Sequence, residues 1–281
     1  MSSKIGNPNL DDLRRKTDFN NLDTSELELD TIGKIKEALK LRFSREIHSM
    51  VEFSAFYQEF LEKIHVSLKS AQEHSVNFKT DRLKLNSEAG VIIANHPSVF
   101  DTSAILSLLS RNDVLVMADE ADFWEGTVVE ENFIRTPKPF EVIKVFERIR
   151  EHIKKGGVFL IFPTGGRENS GEEFKFKRGF RYMLENGILT PETMVYAFNI
   201  QGGGLTIPEE EKQDYKNKCL LYFAQQVLED SRVVIEKPAH LEIVLDERYT
   251  KAQEWASLLG SNKGKEDIAL TKHYTDLFLA K

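Results

Sequence analysis

Residues 95–101 read NHPSVFD, so His96 and Asp101 stand five positions apart across a prolyl turn, directly after the apolar run GVIIA. An imidazole at the exit of a strand, with a carboxylate in reach of its Nδ1–H, is a base and its orienter. The carboxylate holds the tautomer whose Nε2 accepts a proton. Asp101 also has a purely structural reading, because Ser98-Val99-Phe100-Asp101 fits a capping box with Ser98 as N-cap. That reading accounts for the carboxylate and leaves His96 unexplained. No serine or cysteine nucleophile accompanies the pair, so the hydroxyl it would activate belongs to a substrate.

A second constellation lies in GVFLIFPTGGRENSG, where an apolar run ends in Pro163, Gly165, Gly166 and Arg167. Paired glycines permit positive φ and a close approach to the backbone. Their amides can hold an anionic oxygen, with Arg167 adding a bidentate fork. The bland alternative is a tight turn with a solvated arginine. The pattern is not a GxxxxGK[ST] phosphate loop. Upstream, NFIRTP puts Arg135 at the end of another apolar stretch, and downstream FKFKRGF supplies Lys175, Lys177 and Arg178. Between Arg135 and Arg181 the chain also carries Lys138, Lys144, Arg148, Arg150, Lys154 and Lys155. The whole chain has a net charge of −7, which argues against a general nucleic-acid binder. Local positive charge on an acidic protein points instead to a small anionic ligand.

The elements that must carry these residues follow from periodicity. Residues 1–30 are polar and read as a lead-in. Ile35, Leu39, Phe43, Ile47 and Met50, then Phe53, Phe56, Tyr57, Phe60, Leu61, Ile64 and Leu68, recur at helical spacing, so residues 31–78 are expected to be a helical N-terminal segment. Lys34, Lys36, Lys40, Arg42 and Arg45 decorate its first half, either as a solvated face or as a surface drawn to anionic lipid. Residues 79–281 alternate short strand candidates, GVIIAN, DVLVMA, GVFLIFP, MVYAFNI and HLEIVLD, with helical stretches such as PFEVIKVFERIREHIKKGG. Pro139 stands early in that stretch and Gly156 past its end. The expectation is an α/β fold: a mixed, mostly parallel sheet covered by helices on both faces, closed by a helix from about Lys263.

With 281 residues and 41% hydrophobic content, a large core is available. No apolar run of membrane-spanning length is present, and the start lacks the apolar stretch of a signal peptide, so a cytoplasmic location is expected, with peripheral contact at the inner membrane face open. The single cysteine, Cys219, precludes an internal disulfide and a cysteine-based zinc cage. It sits on an apolar helical face in KNKCLLYFAQQVL, where packing is the expected role.

Taken together, NHPSVFD, NFIRTP, FPTGGRENSG with FKFKRGF, and MVYAFNI resemble, in order and spacing, the four motif blocks of the glycerolipid acyltransferase superfamily, which includes glycerol-3-phosphate and lysophosphatidate acyltransferases. The spacing also separates it from another acyl-transfer family with HxxxD. The helical start and the lack of a membrane span look like the soluble plastid-type glycerol-3-phosphate acyltransferases.

The resemblance implies O-acyl transfer from a thioester on acyl carrier protein or coenzyme A, with no metal and no bound cofactor. His96 would be the general base and Asp101 its partner. Arg135 and Arg167 would clamp the acceptor phosphate. Asn95, Ser98, Gly165, Gly166, Lys175 and Lys177 complete the candidate substrate-binding set. Two departures stand out. The common third block is FPEGTR, whereas Thr164 and Gly166 here come closer to the Ser-Gly-Gly-Arg form of the soluble plastid enzymes. Those carry a further arginine where Asn169 stands, so Lys175 or Lys177 is expected to substitute. The expected acceptor is glycerol 3-phosphate. Lysophosphatidate, another lysophospholipid, or a non-catalytic lipid-binding role are the alternatives.

Overall fold

The computed structural model describes residues 47–71, 83–118, 124–166, 174–202 and 239–279, with Glu211, Tyr215, Lys218, Cys219 and Tyr222 between them. The polar lead-in, the first half of the expected N-terminal helix and Arg167 lie outside the described residues.

Helix α1 (Met50–Lys63) starts at Ser49, whose side chain accepts from the Glu52 amide, and buries Met50, Phe53 and Leu61. It stops earlier than the helical spacing suggests. His65 turns the chain at φ +60, and Val66–Ser70 is strand β1. In a short apolar run a period of two and a period of 3.6 both fit, and pairing with a distant strand decides between them. Leu68 is therefore a sheet residue.

The remaining elements are helix α2 (Leu83–Ser87), strand β2 (Gly90–Ala94), helix α3 (Asp101–Leu106) and strand β3 (Val114–Met117), then the two-residue strand β4 (Phe133–Ile134) and helix α4 (Val142–Lys154). Strand β5 (Val158–Ile161), helix α5 (Arg178–Glu185), strands β6 (Met194–Gly202) and β7 (Leu241–Lys251), and helices α6 (Ala252–Ser261) and α7 (Glu266–Leu279) follow. The five strand candidates read from sequence all form. Helix α4 begins at Val142, two turn residues beyond Pro139, and Gly156 at φ +98 follows its end. The closing helix is α7.

The sheet order is β1-β7-β6-β2-β5-β3-β4. All neighbours pair in parallel except β6 with β7, so the sheet is mixed and mostly parallel, as expected. Strands β2 and β5 are buried along their whole length. Alternate residues serve opposite faces: Ile92, Leu160 and Tyr196 join the layer with α1 and α3, whereas Val91, Phe159 and Val195 join that with α4, α5, α6 and α7. Apolar residues at every strand position are what a sheet covered on both sides demands.

One consequence controls the site. Because β2, β3, β4, β5 and β6 point the same way, the residues that leave their C-terminal ends emerge along one edge. In open α/β sheets that edge is where ligands bind.

Candidate active site

Strand β2 delivers Asn95 and His96 to this edge. Asn95 makes two bonds to the backbone of Ile200: its Nδ2 donates to the carbonyl at 2.8 Å and its Oδ1 accepts from the amide at 2.6 Å. It thereby extends the β2–β6 pairing beyond Ala94 and fixes where the chain turns away from the sheet. The Asn95 amide donates to Tyr274 Oη at 3.1 Å, and that hydroxyl donates to the Phe198 carbonyl. Asn95, expected among the substrate-binding residues, has its amide group engaged in positioning the turn.

The turn then folds into α3. Asp101 Oδ2 accepts from the Ser98 amide at 2.7 Å, and Ser98 Oγ accepts from the Phe100 amide at 3.1 Å. Only half of the capping box expected from the sequence forms: the Ser98 hydroxyl accepts from Phe100 rather than from Asp101, and the N-cap is Phe100, without a side-chain cap, because the helix proper starts only at Asp101. Ser98 is buried, so its hydroxyl serves the turn. The same Oδ2 lies 2.9 Å from His96 Nδ1. Asp101 is fully buried while the His96 side chain is 19% exposed. A carboxylate held by a backbone amide accepts Nδ1–H, which leaves Nε2 as the acceptor nitrogen. Closing the turn and orienting the imidazole are thus done by one oxygen at once.

The neighbouring strand β5 supplies the wall behind the imidazole. Phe162 stacks on His96 with ring centroids 4.1 Å apart and planes 18° from parallel. Directly after it, the Gly165 amide donates to the Phe162 carbonyl at 2.9 Å, Gly165 takes φ +68, and Thr164 Oγ1 donates to the Gly166 carbonyl at 2.8 Å. The Gly165 amide is therefore engaged within the turn, and Gly166 N–H is the candidate donor to a developing oxyanion. A Cβ at Gly165 would come within 3.2 Å of Lys177 Cδ. Lys177 thus lies against the glycine turn, anchored by its own amide bonding to the Pro163 carbonyl at 2.8 Å. Lys175 and Lys177 are both exposed.

Arg135 leaves β4 at the same edge and is exposed. Strand order puts β4 three spacings from β2, about 14 Å across the sheet, whereas β5 is one spacing away, about 5 Å. The glycine turn and Lys177 therefore border His96 more closely than Arg135 does.

The run of basic residues between Arg135 and Arg181 is not one surface. Arg148 pairs with Glu131 at 3.0 Å, Lys154 with Glu151 at 3.1 Å, and Arg181 with Glu185, Glu266 and Asp267. Helix α4 carries Arg148, Arg150 and Lys154 away from the His96 edge. Cys219 is buried, and burial pushes its thiol up to about 12 against an opposing hydrogen bond from Tyr215. It is packing, not a nucleophile. Among the described residues no cluster could hold a metal ion, and no helix is long and apolar enough to cross a membrane.

Sequence reasoning missed two residues. Phe162 sat in view as the last apolar residue before the glycine turn, and only strand order shows that it faces His96. Tyr274 is 179 positions from Asn95 and carries no local signal.

Residues 75–200 match the model of a family described as Acyltransferase. A chloroplastic 1-acyl-sn-glycerol-3-phosphate acyltransferase of Arabidopsis thaliana is 22% identical over 209 residues, covering 70% of this chain and 54% of that protein. The chain thus spans about half the length of that relative. A solved structure of the 1-acyl-sn-glycerophosphate acyltransferase of Thermotoga maritima aligns over 87% of this chain and 89% of its own, with 14% identity and a TM-score of 0.44.

Proposed function

We propose that the chain is a glycerolipid acyltransferase, a reading supported by the match of residues 75–200 to a family described as Acyltransferase and by the Arabidopsis relative, and that it moves a fatty acyl group from a thioester, on coenzyme A or acyl carrier protein, to a hydroxyl of a phosphorylated glycerol acceptor. The observation that carries this reading is the 2.9 Å contact between His96 Nδ1 and the buried Asp101 carboxylate, at a sheet edge open to solvent.

His96 Nε2 takes the proton of the acceptor hydroxyl as its oxygen attacks the thioester carbonyl. The carbonyl oxygen becomes an oxyanion, for which Gly166 N–H is the candidate donor. Collapse breaks the C–S bond, and the leaving thiolate takes the proton back from the imidazolium, giving an ester and a free thiol. Asp101 stabilises the imidazolium while it exists. A general base of this kind contributes about 10²- to 10⁴-fold, and one oxyanion donor about 3 kcal/mol. Lys177 and Arg135, with Arg167, next to Gly166 in sequence, are the cations proposed to hold the acceptor phosphate; fixing it converts an encounter into an oriented complex.

Similarity to the Arabidopsis 1-acyl-sn-glycerol-3-phosphate acyltransferase favours 1-acyl-glycerol 3-phosphate as acceptor. A second acceptor, glycerol 3-phosphate, is favoured by Thr164-Gly165-Gly166-Arg167, which resembles the third block of the soluble plastid enzymes. The test offers acyl-CoA and acyl carrier protein thioesters with both acceptors, follows thiol release, and identifies the ester by mass spectrometry, with His96→Ala as blank. Turnover with one acceptor and none in the blank is expected. Thioester bound without turnover would support a lipid-binding protein instead, and full turnover by His96→Ala would remove the general-base role.

A further inference from the structure

Phe140 is 81% exposed and Ile143 is 68% exposed, among the highest values for large apolar side chains in the described residues. Three observations make this more than scattered surface. The first is location. Residues 135–141 leave β4 at the edge that carries His96, and α4 runs back from there to the opposite edge, where Val158 opens β5. The tip of this excursion therefore shares the rim of the site.

The second is rigidity. Pro137 and Pro139 fix two φ angles in four residues. The turn is closed reciprocally: the Glu141 amide donates to the Lys138 carbonyl at 2.9 Å, and the Lys138 amide donates to Glu141 Oε2 at 3.0 Å. The apolar tip is held outward by construction. Phe146, Ile149 and Ile153 form the inward stripe of α4, and Phe140 and Ile143, three apart, stand off that stripe.

The third is charge. Lys138 and Lys144 flank the tip, are exposed, and make no ion pair among the described residues, and exposed Arg135 precedes them. Glu141, the acidic residue between them, has its carboxylate turned to the Lys138 amide. On a chain of net charge −7, an aromatic and an aliphatic side chain flanked by two lysines, with exposed Glu147 one turn further along α4 lying 3.9 Å from Arg150, match an anionic lipid surface, which accepts apolar tips below its headgroups and cations among them.

We infer that the Phe140–Ile143 tip is an interfacial anchor that docks the His96 edge of the sheet on an anionic bilayer. The inference concerns where the chain sits, not the reaction, and vesicle binding reads it without turnover.

Full-length protein is sedimented with phosphatidylcholine vesicles containing about one third phosphatidylglycerol, and with pure phosphatidylcholine vesicles. The wild type is expected to partition onto the anionic vesicles at low salt, and Phe140→Ser/Ile143→Ser to partition at least tenfold less with an unchanged melting curve. Lys138→Glu/Lys144→Glu should weaken binding at low salt, with the difference fading at high salt. In Phe140→Trp, brominated lipid should quench added emission, since Trp124 and Trp255 are buried. The inference fails if the wild type ignores anionic vesicles, or if the double serine variant binds them as the wild type does. It also fails if that variant loses binding to an acidic acyl carrier protein while keeping vesicle binding, because the tip would then serve a protein partner.

Discussion

Replacing Asp101 with asparagine separates the two tasks that its Oδ2 performs. Asparagine keeps the volume of a fully buried side chain, and its carbonyl can still accept from the Ser98 amide, now at 2.7 Å. What it loses is the negative charge 2.9 Å from His96 Nδ1. With the charge centres of imidazolium and carboxylate about 4 Å apart and an effective dielectric constant near 20, their attraction is about 4 kcal/mol. That attraction exists only while the imidazole is protonated, so it belongs to the transition state. Its loss lowers kcat by about three decades. If asparagine instead turns its amide nitrogen toward Nδ1, it selects the tautomer with Nε2 protonated, and the base is lost as well. KM should stay within a few-fold, because neither substrate touches a side chain sealed under the turn. If Asp101 were only a helix cap, the outcome would reverse: a cost of about 1 kcal/mol in stability, seen as a melting point lower by a few degrees, and near-normal kcat. Steady-state thiol release and differential scanning calorimetry on the same preparation tell the two apart. A variant with kcat within fivefold of wild type refutes the orienting role.

Asn95→Ala removes both bonds to Ile200, at about 1 kcal/mol each, and should lower the melting point by several degrees and kcat as well, since the His96 turn loses its anchor; intact kcat would show that the turn holds itself. Lys177→Ala should raise the acceptor KM about tenfold, as expected for one charge-assisted contact at an exposed site. Arg135→Ala, three strands from His96, should raise it less, and a larger effect at Arg135 would show that the acceptor lies across the sheet rather than along the glycine turn. Burial holds the His152 and His273 imidazoles below their usual range. Both therefore stay neutral in the folded chain while the unfolded chain takes up protons near pH 6.5, so stability is lost as pH falls below that value. Thermal melts between pH 7 and about 5.5 should show the decline, and it should shrink in His152→Gln/His273→Gln.

Much of the molecule follows from local order in the chain. The five strand candidates are short apolar runs bounded by breakers, and α4 carries its apolar residues on one stripe. The pairing of His96 with Asp101 spans only five positions and one turn, so Ser98 and Asp101 can close it without help from distant residues. Where local pattern allowed two answers, it misled: VSLKS continues the spacing of α1, yet Val66 and Leu68 lie in β1 because Leu241–Leu245 offers a pairing partner. The run of basic residues from Arg135 to Arg181 likewise reads as one surface in sequence, whereas α4 turns Arg148 and Lys154 toward glutamates.

Strand order is the decision that belongs to tertiary structure alone. Hydrogen bonding between β2 and β5, 68 positions apart in register at Gly90 and Val158, sets Phe162 against His96 and brings the glycine turn to the base. It leaves Arg135 two strands further out. Tyr274, at the far end of the chain, reaches the amide of Asn95 only because α7 packs on the sheet. The spacing of residues along a chain determines which groups can meet across one turn. Which turns become neighbours depends on long-range pairing and burial, whose free energy is shared by the whole sheet and written in no single segment.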